Sequence, residues 1–415
     1  MIEKMLMMSA VLSLFAFDAA ATIKSKDLGD VEVKVEGAKR TKPRFVESLV
    51  EKCIEKEGFK TWEAVDAGRL GQCISNARLF KKVEVRVNRP EIDVTITDKW
   101  TLIPMPNFYA SDGKRSGGLF VFDSNFLGYG KTVGAGAGVS TEGNTFSLMY
   151  SDQSVNFSDY AATIMAYRSN TETEAYVGQD VVYGFDKTET GVFISPGYKL
   201  TPSLDASVSF GYGDRKYSLL DSFAVPGDYQ STSIGCRLSY RNADYKLFYN
   251  DGFSASFMWF QQVHRSDNRD NISQTMASLE WDVTLFEKHA LQLGLHGGLE
   301  SDNGNPGDVS THGRGKGYRG IESNGLWTRK IAAASADYQI PVAKTGHGTF
   351  TVAPFVDYGA YKPFFADNGS NYLAYGIGAY YFINFINLPG VGLVVGRNQE
   401  FMGTFVSFQI GGSFY

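Results

Sequence analysis

The chain has 415 residues, is 43% hydrophobic and carries a net charge of −5. That length leaves room for two domains, and the charge excludes the basic field that gathers nucleic acid. Composition excludes collagen-like and disordered classes. Residues 22–99 hold 17 Lys+Arg and 14 Asp+Glu in 78 positions, whereas residues 100–415 hold only 22 and 29 in 316. All 23 tyrosines and 40 of the 45 glycines lie after residue 99. So abrupt a break predicts a domain boundary near Asp98–Pro106.

The first 21 residues read as a signal peptide. Lys4 supplies the positive start, Leu6 to Phe17 the short apolar run, and Ala19-Ala20-Ala21 the small residues before cleavage. About a dozen apolar residues are too few for a membrane helix. No later stretch reaches the length such a helix needs.

Residues 27–99 form a predicted α+β domain. Val31, Val33 and Val35 alternate with charged residues, as in a strand with one buried face, and Gly37 ends it. Phe45, Val46, Leu49, Val50, Cys53 and Ile54 recur at helical spacing, and Gly58 closes that helix. Val65, Leu70, Cys73, Ile74 and Ala77 mark a second helix. Val83, Val85 and Val87, then Ile92, Val94 and Ile96, mark two closing strands. The order is βααββ. With the Leu79-Phe80-Lys81-Lys82-Val83 step into the second strand, it resembles a POTRA domain. Such domains precede the barrels of the BamA/TamA-type outer-membrane assembly-factor superfamily. The resemblance implies a periplasmic domain that offers sheet edges to client chains; the bland alternative is a small structural domain. Cys53 and Cys73 lie in an oxidising compartment, where a disulfide is one option. In an antiparallel helix hairpin, however, their offset is roughly 10 Å along the axis, which favours two buried thiols. Cys236 stands alone.

From residue 116 to 415 one theme repeats. Segments of about ten residues alternate in hydrophobicity between Gly, Asn, Asp and Ser clusters, as in Ala206–Tyr212, Leu291–Leu299 and Phe405–Phe414. This is the pattern of a membrane β-barrel, apolar outward and small or polar inward. Spacing predicts about 16 antiparallel strands. Phe408, Ile410 and Phe414 share a face near the end at Tyr415, and resemble the terminal signal read by barrel-assembly machinery.

Three motifs narrow the family. Asn125, Leu127, Gly128 and Gly130 resemble its Asn-x-Leu-Gly-x-Gly turn after the first barrel strand. Gly315-Lys316-Gly317-Tyr318-Arg319-Gly320 lies in a long Gly-rich stretch, residues 301–326. It resembles the Arg-Gly-Phe/Tyr motif of a loop that folds back into the barrel, with Lys316 at the arginine position before Gly317 and Tyr318. Phe355, Asp357 and Gly359 resemble the Phe-x-Asp-x-Gly strand motif, which supplies an acidic partner on the interior wall. Period two puts these three on one face and Val356 and Tyr358 on the lipid side. The resemblance implies an ion pair from Lys316 to Asp357, with Arg314 or Arg319 as substitutes.

Gly130-Lys131-Thr132 ends like a phosphate loop, but Asn125 stands where that loop needs glycine. The five histidines lack metal-ligand spacing. No enzyme, cofactor or metal is therefore expected. The expected function is outer-membrane protein assembly or insertion. The expected partners are unfolded outer-membrane or secreted clients, lipids and accessory periplasmic proteins. The alternatives are a secretion pore for one passenger protein and a structural barrel without insertase activity.

Overall fold

The computed structural model describes residues 23–25, 27–111, 114–140, 143–177, 180–219, 226–286, 288–301, 305–312, 315–321, 326–365, 368–387, 390–401 and 403–410. The expected signal peptide, Arg314, Phe414 and Tyr415 lie outside them.

The front domain is a four-stranded sheet under two helices. Its strands are β1 (Ile23–Ser25), β2 (Gly29–Glu36), β3 (Phe80–Asn88) and β4 (Glu91–Asp98), in the order β1-β2-β4-β3. β2 runs parallel to β4, and β3 antiparallel to it. Helix α1 (Pro43–Glu57) starts on proline, which suits a first turn with no N–H to satisfy. It ends on Gly58 at φ 69°, where the missing Cβ allows the left-handed cap. Helix α2 (Ala67–Ser75) is capped by the Asp66 carboxylate, which accepts from the Arg69 amide at 2.7 Å. Val46, Val50, Ile54, Leu70 and Ile74 meet Val31, Ile92, Val94 and Ile96 in one core.

Cys53 and Cys73 form a disulfide with Cα atoms 5.8 Å apart, which corrects the expectation of two thiols. The offset assumed from sequence misplaced the helix ends. Nine residues, including a 3-10 turn at Trp62–Ala64, separate the helices. Cys53 lies four residues before the end of α1 and Cys73 six residues after the start of α2, so level helix ends leave an axial offset of only about 3 Å at 1.5 Å per residue, within normal bridging distance.

The second sheet has 16 antiparallel strands among the described residues. They are β5 (Leu102–Ser111), β6 (Lys114–Phe126), β7 (Lys131–Ser140), β8 (Gly143–Asp152), β9 (Tyr160–Val177), β10 (Asp180–Thr201), β11 (Leu204–Leu219) and β12 (Tyr229–Lys246). Then follow β13 (Tyr249–Arg265), β14 (Ser273–Leu285), β15 (His289–Glu300), β17 (Leu326–Lys344), β18 (Gly348–Pro363), β19 (Ser370–Ile383), β20 (Val391–Asn398) and β21 (Gly403–Ile410). A two-residue strand, β16 (Thr311–His312), lies in the connection after β15 and pairs only with β17. Each barrel strand is joined to the next by a ladder, with β15 passing directly to β17. Phe210, Leu295, Val356 and Tyr358 are exposed on the outer face, whereas Gln292, Asp337, Thr351 and Asp357 are buried inside. That is the division a bilayer demands.

The barrel starts earlier than the sequence predicts. Leu102–Ser111 pairs with β6 residue for residue, so the first strand precedes residue 116. Pro104 and Pro106 make this segment read as a linker, yet proline is tolerated on a strand whose outer edge needs no donor. The Asn125 motif consequently follows the second barrel strand, not the first.

Candidate functional site

Two features stand out: the folded-in loop and the line where β5 meets β21. The connection from β15 to β17 turns into the barrel and is held at two places. At the deeper one Arg319 is 4% exposed and lies between two buried carboxylates. Its Nε and Nη2 donate to Asp357 at 2.8 and 2.5 Å, and its Nη1 and Nη2 donate to Asp337 at 2.6 and 2.9 Å. Asp337 on β17 pairs across with Phe355 on β18, so the two acids project from adjacent strands onto one fork. The Phe355 ring lies 3.8 Å from the guanidinium carbon, a cation–π contact. On β20, the Asn398 amide donates to the Arg319 carbonyl at 3.0 Å.

Phe355, Asp357 and Gly359 face inward together, as their spacing predicts, and Val356 and Tyr358 face out. Gly359 leaves room for the Tyr372 ring, and the Tyr372 hydroxyl donates to the Gly317 carbonyl at 2.5 Å. Gly317 and Gly320 have φ of 81° and 76°, which ordinary side chains resist. Tyr318 stacks on His312 at 5.6 Å.

Asp357 takes Arg319, not Lys316, as its ion-pair partner. Lys316 instead donates to the Gln292 side chain on β15 at 3.1 Å. The reason is geometric: the two glycine turns carry Lys316 toward the β14–β15 wall, and one ammonium lacks the planar fork that engages two carboxylates. Sequence reasoning missed Asp337. Its signal was there, an acid at an inward position of a membrane strand.

The second hold lies nearer the open end and was not foreseen. Asp308 accepts from Arg265 Nη1 at 2.6 Å and from the Tyr229 hydroxyl. The Tyr229 ring lies 3.8 Å from that guanidinium carbon. The Tyr217 hydroxyl donates to the Gly307 carbonyl at 3.2 Å.

The Asn125 motif docks the front domain. Lys42 donates its amide to the Gly128 carbonyl at 2.9 Å, and the Asn125 amide donates to the Thr41 hydroxyl at 2.8 Å. A side chain at Gly128 would strike the Arg40 carbonyl, and one at Gly130 the Phe45 ring. Leu127, at φ 56°, is exposed. Arg40 pairs with Asp123, which also accepts from the Thr101 hydroxyl at 2.9 Å. Asp98 anchors the approach segment, accepting from the Lys39 and Arg40 amides and the Thr41 hydroxyl. Burial alone raises the Asp98 pKa, but these hydrogen bonds outweigh it and hold the carboxyl below its ordinary value. Elsewhere Lys52 of α1 donates to the Ser158 carbonyl at 2.9 Å, and Gln72 of α2 to the Tyr245 carbonyl at 3.0 Å. The front domain therefore touches barrel turns from β6 to β13.

The barrel closes where β5 and β21 meet as neighbours. The described residues of β5 limit the hydrogen bonds that this closing seam can hold. The Thr101 carbonyl accepts from Ser124, so its polar groups face β6. Trp100, on the opposite parity, bonds to Phe385 and Asn387 on the seam side. Continuing the alternation puts the polar groups of residues 102, 104 and 106 on the seam. Pro104 and Pro106 have no N–H to offer, and the Leu102 carbonyl is already taken by the Trp100 indole. Phe408 lies on β21, exposed, and Ile410 is the last described residue of that strand. The wall is also short here: β20 has eight residues, against 19 in β17.

Among curated proteins no sequence matches the chain. Solved structures share its fold. BamA from Haemophilus ducreyi lacking POTRA domains 1-3 is 14% identical with a TM-score of 0.54, over 95% of this chain and 84% of that one. CdiB from Escherichia coli is 12% identical with a TM-score of 0.58, over 92% and 75%. CdiB from Acinetobacter baumannii is 13% identical with a TM-score of 0.54, over 93% and 74%. The family model for the Omp85 superfamily domain matches residues 125–380, more than half of the sequence and the span that contains the hairpin socket, the folded-in loop and its acidic wall. The chain belongs to the Omp85 superfamily of outer-membrane β-barrels.

Proposed function

We propose that this protein is an outer-membrane assembly or insertion factor. In this reading the front domain is a POTRA domain in the periplasm that receives unfolded client chains. The seam between β5 and β21 then gives those clients a lateral way into the bilayer. The observation that carries the reading is the β5 edge, which lacks donors at Pro104 and Pro106 and has its Leu102 carbonyl engaged. Backbone pairing holds a barrel wall shut, so an edge short of donors is the place where the wall parts at least cost. The seated loop supports the same route, since Arg319 keeps it inside the barrel and obstructs straight passage. No covalent chemistry is involved.

Restoring the missing donors tests this. The double variant Pro104→Val/Pro106→Thr offers two N–H groups to the seam. It should resist unfolding better than the parent and support less assembly of other barrels in cells depleted of the parent protein. Full assembly with a demonstrably tighter seam would overturn the proposal. Loss of a single secreted protein on depletion, with other barrels intact, would point instead to a secretion pore. An unchanged outer-membrane proteome would point to a structural barrel.

A further inference from the structure

The bilayer-facing wall carries a groove of about 460 Å³. Ala334 and Ala336 of β17 line it between Leu293 and Leu295 of β15 and Val356 and Tyr358 of β18, and it continues past β15 to Trp281 of β14. Register explains the shape. Leu295, Ala334 and Tyr358 lie side by side across three strands, as do Leu293, Ala336 and Val356. One low strand therefore runs between two high ones. Toward the loop end Ala332 faces Ala360, and beyond them Lys330 faces Lys362. Both lysines are exposed on the outer face. Like charges directly opposite one another destabilise a sheet, and no carboxylate among the described residues pairs with either. Toward the other end Tyr338, Ile340 and Val342 fill the same outward positions of β17, so the groove stops partway down the wall. From Lys330 to Ala336 is about 20 Å at a rise of ~3.3 Å per residue. At a tilt of ~40° that is about 15 Å along the membrane normal, half of a ~30 Å hydrocarbon core.

We infer that this groove binds a phosphate-bearing lipid, with one acyl chain along β17 over Ala334 and Ala336 and the anionic headgroup between Lys330 and Lys362. The charge pair selects the occupant: a second copy of this chain would bring the same two lysines and no counter-charge from this face.

The test uses the delipidated full chain in neutral detergent, with native mass spectrometry and thermal unfolding as readouts. The probes are phosphatidylglycerol, phosphatidylcholine with the same acyl chains, and inorganic phosphate alone. One phosphatidylglycerol should be retained, with roughly tenfold preference over phosphatidylcholine. Lys330→Gln/Lys362→Gln should abolish that preference. Ala334→Phe should reduce retention of both lipids while the heat-modifiable mobility of the folded barrel is kept. Equal retention of the two lipids by the parent would overturn the inference. So would an undiminished preference in the double glutamine variant, equal protection by phosphate alone, or a dimer that Ala334→Phe disperses. Failure here leaves the assembly reading intact, because none of these measurements involves a client.

Discussion

Replacing Arg319 with methionine keeps most of the side-chain volume and removes the charge. Four hydrogen bonds to carboxylates vanish. Asp337 and Asp357, 3% and 0% exposed, then lose their countercharge. Stripping one partner from a buried ion cluster typically costs about 3–5 kcal/mol, because the remaining charge stays desolvated. In an Asp337→Asn/Asp357→Asn background no carboxylate remains, and the same replacement should cost no more than about 1 kcal/mol, the net worth of ordinary hydrogen bonds. The coupling is therefore about 2 kcal/mol or more. It can be read from urea titrations of the purified barrel in detergent, followed by tryptophan fluorescence and by loss of compact mobility on gels. Lys316→Met should cost less than about 1 kcal/mol, since it breaks one bond to a neutral acceptor. A coupling within about 0.5 kcal/mol of zero, the limit of additivity for independent sites, would refute the argument. So would a Lys316 variant weaker than the Arg319 variant.

The outer hold should gate the lumen more than it supports the barrel. Arg265→Met should raise single-channel conductance and open the loop around Asp308 to protease, with a smaller drop in unfolding midpoint than Arg319→Met. For the disulfide, the chain-entropy model with a separation of 20 residues gives about 3 kcal/mol. Cys53→Ser/Cys73→Ser should accordingly make the front domain, and not the barrel, sensitive to protease; equal resistance with and without the bridge would sink this. Burial holds the Lys99 ammonium down to about 8, with the charge of Arg78 adding to the shift. A lysine depressed in the folded state penalises folding below that pH, and the penalty fades as pH climbs toward 10.5. Crosslinking between the front domain and the β12–β13 turn should rise between pH 8 and 10.5, and Lys99→Met should flatten that rise.

Much of the fold was legible because a membrane wall imposes a two-residue period. Val356 and Tyr358 outside, Phe355, Asp357 and Gly359 inside, need only that rule. The front-domain core followed equally simply from helical spacing at Val46, Val50 and Leu70. What failed lies where no period operates. Between Gly315 and Gly320 the positive φ angles at all three glycines set the direction of each side chain, and nothing in the spacing says that Arg319 rather than Lys316 turns toward Asp357. Whether Cys53 reaches Cys73 depends on where each helix ends, and nine residues outside both helices separate them. β5 was hidden by Pro104 and Pro106, whose chemistry makes sense only once that strand is seen to lie at the closing seam. The role of Gly128 and Gly130 as a docking socket was invisible too, because the surfaces they admit, Arg40 and Phe45, come from a different domain.

The cluster around Arg319 also has an order in time. Its neutralising groups come from β17 and β18, and the amide that holds its carbonyl comes from β20. The cluster is complete only when all three strands are in place. Until then the guanidinium lacks part of its partners, and sinking it into the barrel is unfavourable. Stable seating of the loop therefore requires β17, β18 and β20 together. Its seating is a chemical record that these three strands have arrived in register.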